Sequence, residues 1–250
     1  MAAPTDAPDW TTYQAVLFDL DGVVTPTALV HAQAWAEMFN DYLPTLTSAA
    51  SPPQPPFTDA DYHAYVDGKP RYNGVRDFLA SRGLHPEEAE IVRLGDRKND
   101  LVNIVLERDG VVAYPGSVQL LDHLRDLGIP LAIVSSSANA PTVLRAAGLL
   151  DRFATIVDGA VARELGLPGK PAPDTFLHAA AVLGASAATS VVLEDAVSGV
   201  AAGKAGHFAL TVGVDRGAGA ALIQAGADVL VNDLADLVPD PNSGATGGAR

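Results

Sequence analysis

The stretch AVLFDLDGVVT, residues 15–25, sets four apolar residues in a row and follows them with Asp19, an apolar residue, Asp21 and Gly22. A short apolar run closed by acids and glycine predicts a buried strand that delivers two carboxylates to its C-terminal tip. In an open α/β sheet that tip is where ligands bind. A carboxylate on such a loop keeps enough water to stay ionised, so it can bind a metal or attack an electrophile. Alone, the D-x-D pair fits a polar turn equally well, and its meaning depends on the rest of the chain.

Working outward, apolar runs at 130–134, 155–158, 190–193, 208–214 and 228–231 alternate with helical periodicity at 117–127, 139–147, 173–183 and 197–204. That alternation predicts a parallel, doubly wound sheet with helices on both faces. Between residues 25 and 111 no strand is predicted. Leu29, Ala32, Trp35, Ala36 and Phe39 recur at helical spacing, and further helical segments lie at 59–66, 74–82 and 86–108. The proline-rich stretch 44–58 predicts an irregular loop. The fold class expected is α/β: a Rossmann-like core of residues 13–26 and 112–238, an all-helical inserted domain at 27–111, and flexible termini at 1–12 and 239–250.

Acidic residues outnumber basic ones 30 to 16, for a formal charge of −14, which argues against a nucleic-acid partner. An anionic substrate remains compatible, because a metal and a few local cations can reverse the sign inside one cleft. With no cysteine there are neither disulfides nor thiolate metal sites. The leading MAAPTDAPDW lacks the pattern of a signal peptide, and no apolar run is long enough for a membrane span. A cytoplasmic monomer with no membrane partner is expected.

Polar chemistry recurs at three more predicted strand ends or loops: Ser135 in AIVSSS, Lys170 in GKPAPDTF, and Glu194 with Asp195 in VVLEDAVSG. Each alone has an explanation in capping or turn chemistry. Together, at the sheet edge where a site belongs, they form a set. Asp19, Asp21, Glu194 and Asp195 are hard oxygen ligands suited to Mg2+, and a cation accounts for their convergence. Ser135 and Lys170 offer a hydroxyl and an ammonium to phosphoryl oxygens. Asp19 is placed to attack phosphorus and form an acyl phosphate, with Asp21 moving protons on the substrate oxygen.

FDLDGVVT, VSSS, GKPAP and LEDAVSG resemble the four motifs of the haloacid dehalogenase superfamily, over residues 15 to 237 or so. The resemblance implies Asp19 as nucleophile, Asp21 as acid/base, Ser135 and Lys170 at the phosphate, and Glu194 with Asp195 at Mg2+. It also implies that the helical insertion is a cap over the site. Dehalogenases of the superfamily typically lack the second acid, so Asp21 favours phosphoryl transfer.

In the insertion, Thr27, His31 and Trp35 are four residues apart and share one helix face. Gly68, Lys69 and Arg71 open another helix and offer a cradle for a distal phosphate. RKND, residues 97–100, is a second cationic cluster. These features resemble the β-phosphoglucomutase-like family at Thr27, His31, Trp35, Gly68, Arg71, Arg97, Lys98, Ser135, Ser137 and Asn139, and Ser136 in the same loop is a further candidate for binding phosphate. The resemblance implies a mutase that interconverts β-glucose 1-phosphate and glucose 6-phosphate through a bisphosphate. Arg71 would hold the non-reacting phosphate, and His31 would orient Asp21 and the sugar. The chain departs from the family at Pro26, where an acid is usual, and at Ala138, where a basic residue is usual; losing that cation loosens phosphate binding. A sugar-phosphate phosphatase is the alternative, and a non-catalytic binding protein with the same fold is a remote one.

Overall fold

A computed structural model of the protein describes residues 7–46 and 53–239. Six parallel strands form one sheet. At its centre β1 (Ala15–Phe18) lies between β2 (Leu131–Val134) and β4 (Ser190–Glu194). β3 (Thr155–Val157) continues outward from β2, and β5 (Leu210–Val214) and β6 (Val229–Val231) from β4, giving the order β3-β2-β1-β4-β5-β6. The chain runs outward through β2 and β3, then returns to the other side of β1 at β4. The crevice created by that reversal opens at the strands' C-terminal ends.

Among the described residues of 27–111 there is no strand. α1 (Thr27–Tyr42), α3 (Arg71–Ser81) and α4 (Glu88–Asp109) pack together, joined by the single turn α2 (Asp59–Asp61) and a π-turn at Tyr62–Val66. This block has its own apolar centre, in which the Phe39 ring lies 4.3 Å from Phe78, 5.1 Å from Phe57 and 5.4 Å from Trp35. Part of the proline-rich stretch, residues 47–52, falls outside the described residues.

The remaining helices are α5 (Pro115–Asp126), α6 (Ala140–Ala146), α7 (Gly159–Glu164), α8 (Asp174–Val182), α9 (Val197–Ala205) and α10 (Gly219–Ala225). They explain why the strands read as unbroken apolar runs: both faces of the sheet are covered. Alternate residues of β1 enter different cores. Val16 and Phe18 join Leu120, Leu124 and Leu144 from α5 and α6, whereas Ala15 and Leu17 join Phe176, Ala179 and Ala202 from α8 and α9.

The sequence expectation differs at the N-terminus. Residues 1–6 and 240–250 lie outside the described residues, but the segment from Asp9 is not a loose lead-in. Trp10 begins a 3-10 turn, is 1 % exposed, and donates its indole N–H to the Leu237 carbonyl at 2.9 Å. Burying that ring is worth on the order of 2 kcal/mol, and the bonded indole avoids the penalty of an unpaired donor.

Candidate active site

The loop after β1 is pinned from several directions, which fixes its two carboxylates. Gly22 N–H donates to the Thr25 carbonyl, and Val24 and Thr25 donate back to the Leu20 carbonyl. The carbonyls of Val23 and Gly22 accept from Ser117 Oγ and Arg216 Nε at 2.7 and 2.8 Å. Arg216 in turn lies 4.2 Å from the centre of the Tyr114 ring. Gly22 has φ +91°, and a Cβ there would fall 1.8 Å from Asp195 Oδ2. A side chain is excluded both by conformation and by space.

Behind that loop lies a buried ion triad. Lys170 Nζ donates to Asp19 Oδ1 at 2.5 Å, Glu194 Oε1 at 2.6 Å and the Val134 carbonyl at 2.9 Å. Burial alone would lower its pKa, but the Asp19 and Glu194 charges win and hold Lys170 well above the ordinary lysine value. Glu194 corrects an expectation. It is fully buried, with Oε1 on Lys170 and Oε2 on the Ala196 N–H at 2.8 Å, so neither oxygen faces the cleft. Adjacent residues at a strand end point in opposite directions. Asp195 takes the side toward the cleft, and Glu194 the side toward Lys170.

The cleft, a cavity of about 60 Å3, brings Asp19, Asp21, Ser135, Ser136, Ser137 and Asp195 of the core together with His31, Trp35, Gly68, Arg71 and Lys98 of the helical block. Thr27 stands beside it and donates to Asp21 Oδ1 at 2.5 Å, while His31 Nε2 is 3.5 Å from the same oxygen. His31 Nδ1 lies 2.6 Å from Lys98 Nζ, whose ammonium sits 5.0 Å from the centre of the Trp35 ring. Burial first, then the Lys98 charge, lowers the His31 pKa to about 4. Burial lowers Lys98 to about 7, with Asp21 pulling the other way. His31 is therefore a neutral imidazole at pH 7.

Two backbone contacts seat the helical block on the core. Ser136 Oγ donates to the Gly68 carbonyl at 2.7 Å, and Ser198 Oγ to the Asp67 carbonyl at 2.9 Å. Ser135 Oγ is 3.5 Å from Asp21 Oδ2 and accepts the Ser137 N–H at 3.1 Å. Asn139 is not in the cleft wall; its amide donates to Asn99 Oδ1, and Asn99 is the residue that reaches the cavity. Arg97 points away and pairs with Asp41. Pro26 caps α1 with no side-chain bond.

Sequence reasoning missed Tyr62, Asp67 and Asn99 in the cleft wall, and Arg216 behind the loop. Tyr62 reaches the cleft through the π-turn, whose Asp67 N–H to Tyr62 carbonyl bond no helical periodicity foreshadows. Burial, then the Asp67 charge, keeps its phenol well above the ordinary value.

The donor chemistry suits a hard divalent cation. Burial and the neighbouring carboxylates push Asp195 well above the usual carboxylate range, and burial does the same to Asp19 against the opposing Lys170 charge, a strain that a positive ion in the cleft relieves. Among the described residues no three acidic or imidazole side chains form a ready-made cage. Mg2+ does not require one, since it binds one or two carboxylates and completes its shell with water and substrate phosphate.

The family model for haloacid dehalogenase-like hydrolases matches residues 13–207. Among curated proteins, the β-phosphoglucomutase of Mycobacterium bovis is 48% identical over 240 residues, spanning 90% of this chain and 91% of that protein. The β-phosphoglucomutase of Bacillus subtilis is 35% identical over 228 residues, spanning 90% and 91%. A solved β-phosphoglucomutase from Clostridium difficile superposes with a TM-score of 0.75 at 24% identity, covering 90% of this chain and 93% of that one, a likeness of fold. Among the described residues no helix is long and apolar enough to cross a membrane.

Proposed function

Because the chain belongs to the haloacid dehalogenase-like family, in its β-phosphoglucomutase-like branch, we infer that it is a β-phosphoglucomutase working through an aspartyl phosphate on Asp19. The observation that carries this reading is that one cleft holds two poles for anions: Ser135 beside Asp19, which Lys170 holds from behind, on the core side, and Arg71 on the opposite, helical side. A phosphatase needs only the first pole. A mutase needs both, because its bisphosphate must be held at either end.

In the proposed reaction, a carboxylate oxygen of Asp19 forms a bond to phosphorus as the bond from phosphorus to the sugar oxygen breaks. Asp21 gives a proton to that departing oxygen. For transfer back, the carboxylate of Asp21 takes the proton of a sugar hydroxyl, whose oxygen attacks phosphorus and frees Asp19. The Ser135 hydroxyl donates to the transferring group, while Lys170, bonded to Asp19, Glu194 and the Val134 carbonyl, fixes the Asp19 carboxylate and offsets its charge from behind. Thr27 and His31 hold Asp21 from α1, so its orientation depends on the helical block being seated. Neutral His31, whose Nδ1 accepts from Lys98, carries its proton on Nε2 and can donate to the Asp21 carboxylate or to a sugar oxygen without adding charge.

Asp19, Asp21 and Asp195 are the residues proposed to hold Mg2+. When bound, the ion neutralises charge between the carboxylates and the phosphoryl oxygens. Incubation with Mg2+, β-glucose 1-phosphate and catalytic glucose 1,6-bisphosphate tests the reading when glucose 6-phosphate and free phosphate are followed together. Fast glucose 6-phosphate with little free phosphate is expected. The reverse ratio would establish a phosphatase, the reading that Ala138 favours by leaving the phosphate loop without a cation.

A further inference from the structure

The two carboxylates of the β1 loop are held in different ways. Asp19 is still tied to the sheet, its N–H donating to the Leu193 carbonyl at 2.9 Å, and Lys170 fixes its carboxylate. Asp21 lies beyond the strand pairing, in a turn, where Thr27 and His31 hold its side chain from α1. The backbone beside it is held from another part of the chain. Arg216, in the loop after β5, donates Nε to the Gly22 carbonyl at 2.8 Å and Nη1 to the Asn232 carbonyl at 2.9 Å. The same guanidinium lies 4.2 Å from the centre of the Tyr114 ring.

The loop is shaped for this reach. Asp215 Oδ1 accepts the N–H groups of Gly217 and Gly219 at 2.7 and 3.0 Å, and Gly217 has φ +115°, so the chain turns sharply at the arginine. Arg216 is exposed, in a chain where acids outnumber bases 30 to 16, yet it takes part in no ion pair among the described residues. It spends its planar fork on two backbone carbonyls and an aromatic face, a geometry that lysine does not reproduce. Its partners converge on the base of the helical block. The chain leaves the core after Thr25 and returns through Tyr114, whose N–H donates to the Val24 carbonyl at 3.0 Å, while Ser117 Oγ donates to the Val23 carbonyl. The two linkers are thus stitched together on the core side, and Arg216 joins that stitch to Gly22. We propose that Arg216 is a positioning residue for Asp21: it fixes the backbone beside Asp21 to the core, so that the carboxylate keeps its aim at the sugar oxygen while Thr27 and His31 hold it from the helical block. The inference rests on the reading of Asp21 as the acid that protonates the departing oxygen.

The expected defect is confined to proton transfer. β-Glucose 1-phosphate releases a sugar oxygen that needs a proton, whereas p-nitrophenyl phosphate releases a phenolate that leaves without one. Single-turnover quench with Mg2+ and enzyme in excess follows release of glucose or of p-nitrophenolate, and so separates transfer to Asp19 from later discharge. General-acid help contributes about a hundredfold or more and depends on alignment, so Arg216→Ala should slow glucose release by about tenfold to a hundredfold and p-nitrophenolate release by no more than about threefold. Arg216→Lys should behave like the alanine variant, because charge without the fork does not bridge the carbonyl and the ring. Tyr114→Leu should show part of the loss and add little in the Arg216→Ala background. Arg216 is exposed, so its variants are expected to fold, and circular dichroism melts check this. A wild type active on both substrates whose Arg216→Ala variant slows both alike, or neither, would overturn the inference alone. An Arg216→Lys protein matching the wild type would do the same. A wild type that releases neither leaving group would contradict the phosphotransferase reading, and the inference with it.

Discussion

Replacing Lys170 by methionine keeps a linear side chain of similar length and removes the ammonium between Asp19 and Glu194. In the wild type that ammonium makes three hydrogen bonds of 2.5 to 2.9 Å and is 1 % exposed, while Glu194 is fully buried. Removing one partner of a buried ion network strands the others, at a cost of about 3–5 kcal/mol. For a chain of this size each kcal/mol shifts the melting temperature by about 2–4 °C, so a fall of roughly 6–20 °C is expected. The loss should depend on pH in a defined direction. With Lys170 gone, Asp19 loses the charge that opposes the effect of its burial, so its folded pKa stands still further above the unfolded one. Stability is then regained as pH falls. Thermal melts followed by circular dichroism at pH 7.5 and 5.5 read both effects. Adding Glu194→Gln should cost less in the Lys170→Met background than in the wild type, because the pair acts as a unit. A Lys170→Met protein melting within about 2 °C of the wild type at both pH values would refute the triad as a source of stability.

Arg71→Ala should raise KM for β-glucose 1-phosphate by tenfold or more and leave hydrolysis of a small monophosphate nearly unchanged; equal losses on both substrates would remove its distal-phosphate role. Gly22→Ala should lower phosphoryl transfer by at least a hundredfold in steady-state assays, since the new Cβ would displace Asp195 from the loop. The His31 pKa of about 4, against 6.5 for an ordinary histidine, gives a pH signature with a fixed sign. Between those values the unfolded chain binds a proton that the folded one refuses, so stability falls as pH drops from 6.5 to 4, by up to about 3 kcal/mol. Urea melts of wild type and His31→Asn at pH 7 and 4.5 should differ in slope by this amount, and parallel slopes would show His31 to be protonated in the fold.

The sheet was legible because a strand covered on both faces must be apolar at every position, and β1, β2 and β4 are. The carboxylates were legible because each strand ends at a polar tip, where solvation and function both demand such residues. The short α7 and α10 were not. α7 is capped by Asp158, whose side chain accepts from Ala160 N and Val161 N, and this cap reads in sequence as the end of a strand. Trp10 was missed because its partner, the Leu237 carbonyl, is 227 residues away and leaves no local signal. Glu194 was assigned to the metal because sequence shows two adjacent acids and not the alternation that turns them apart. The cleft's Tyr62 depends on a π-turn, a register change invisible to an α-helical period.

The covalent step at Asp19 is tested most directly by rapid acid quench of the protein with Mg2+ and 32P-labelled glucose 1,6-bisphosphate, followed by peptide mapping. The account predicts a hydroxylamine-labile phosphate on Asp19, within residues 15–25, that is absent from Asp19→Asn. Label on another residue, or turnover with no covalent label, would contradict it.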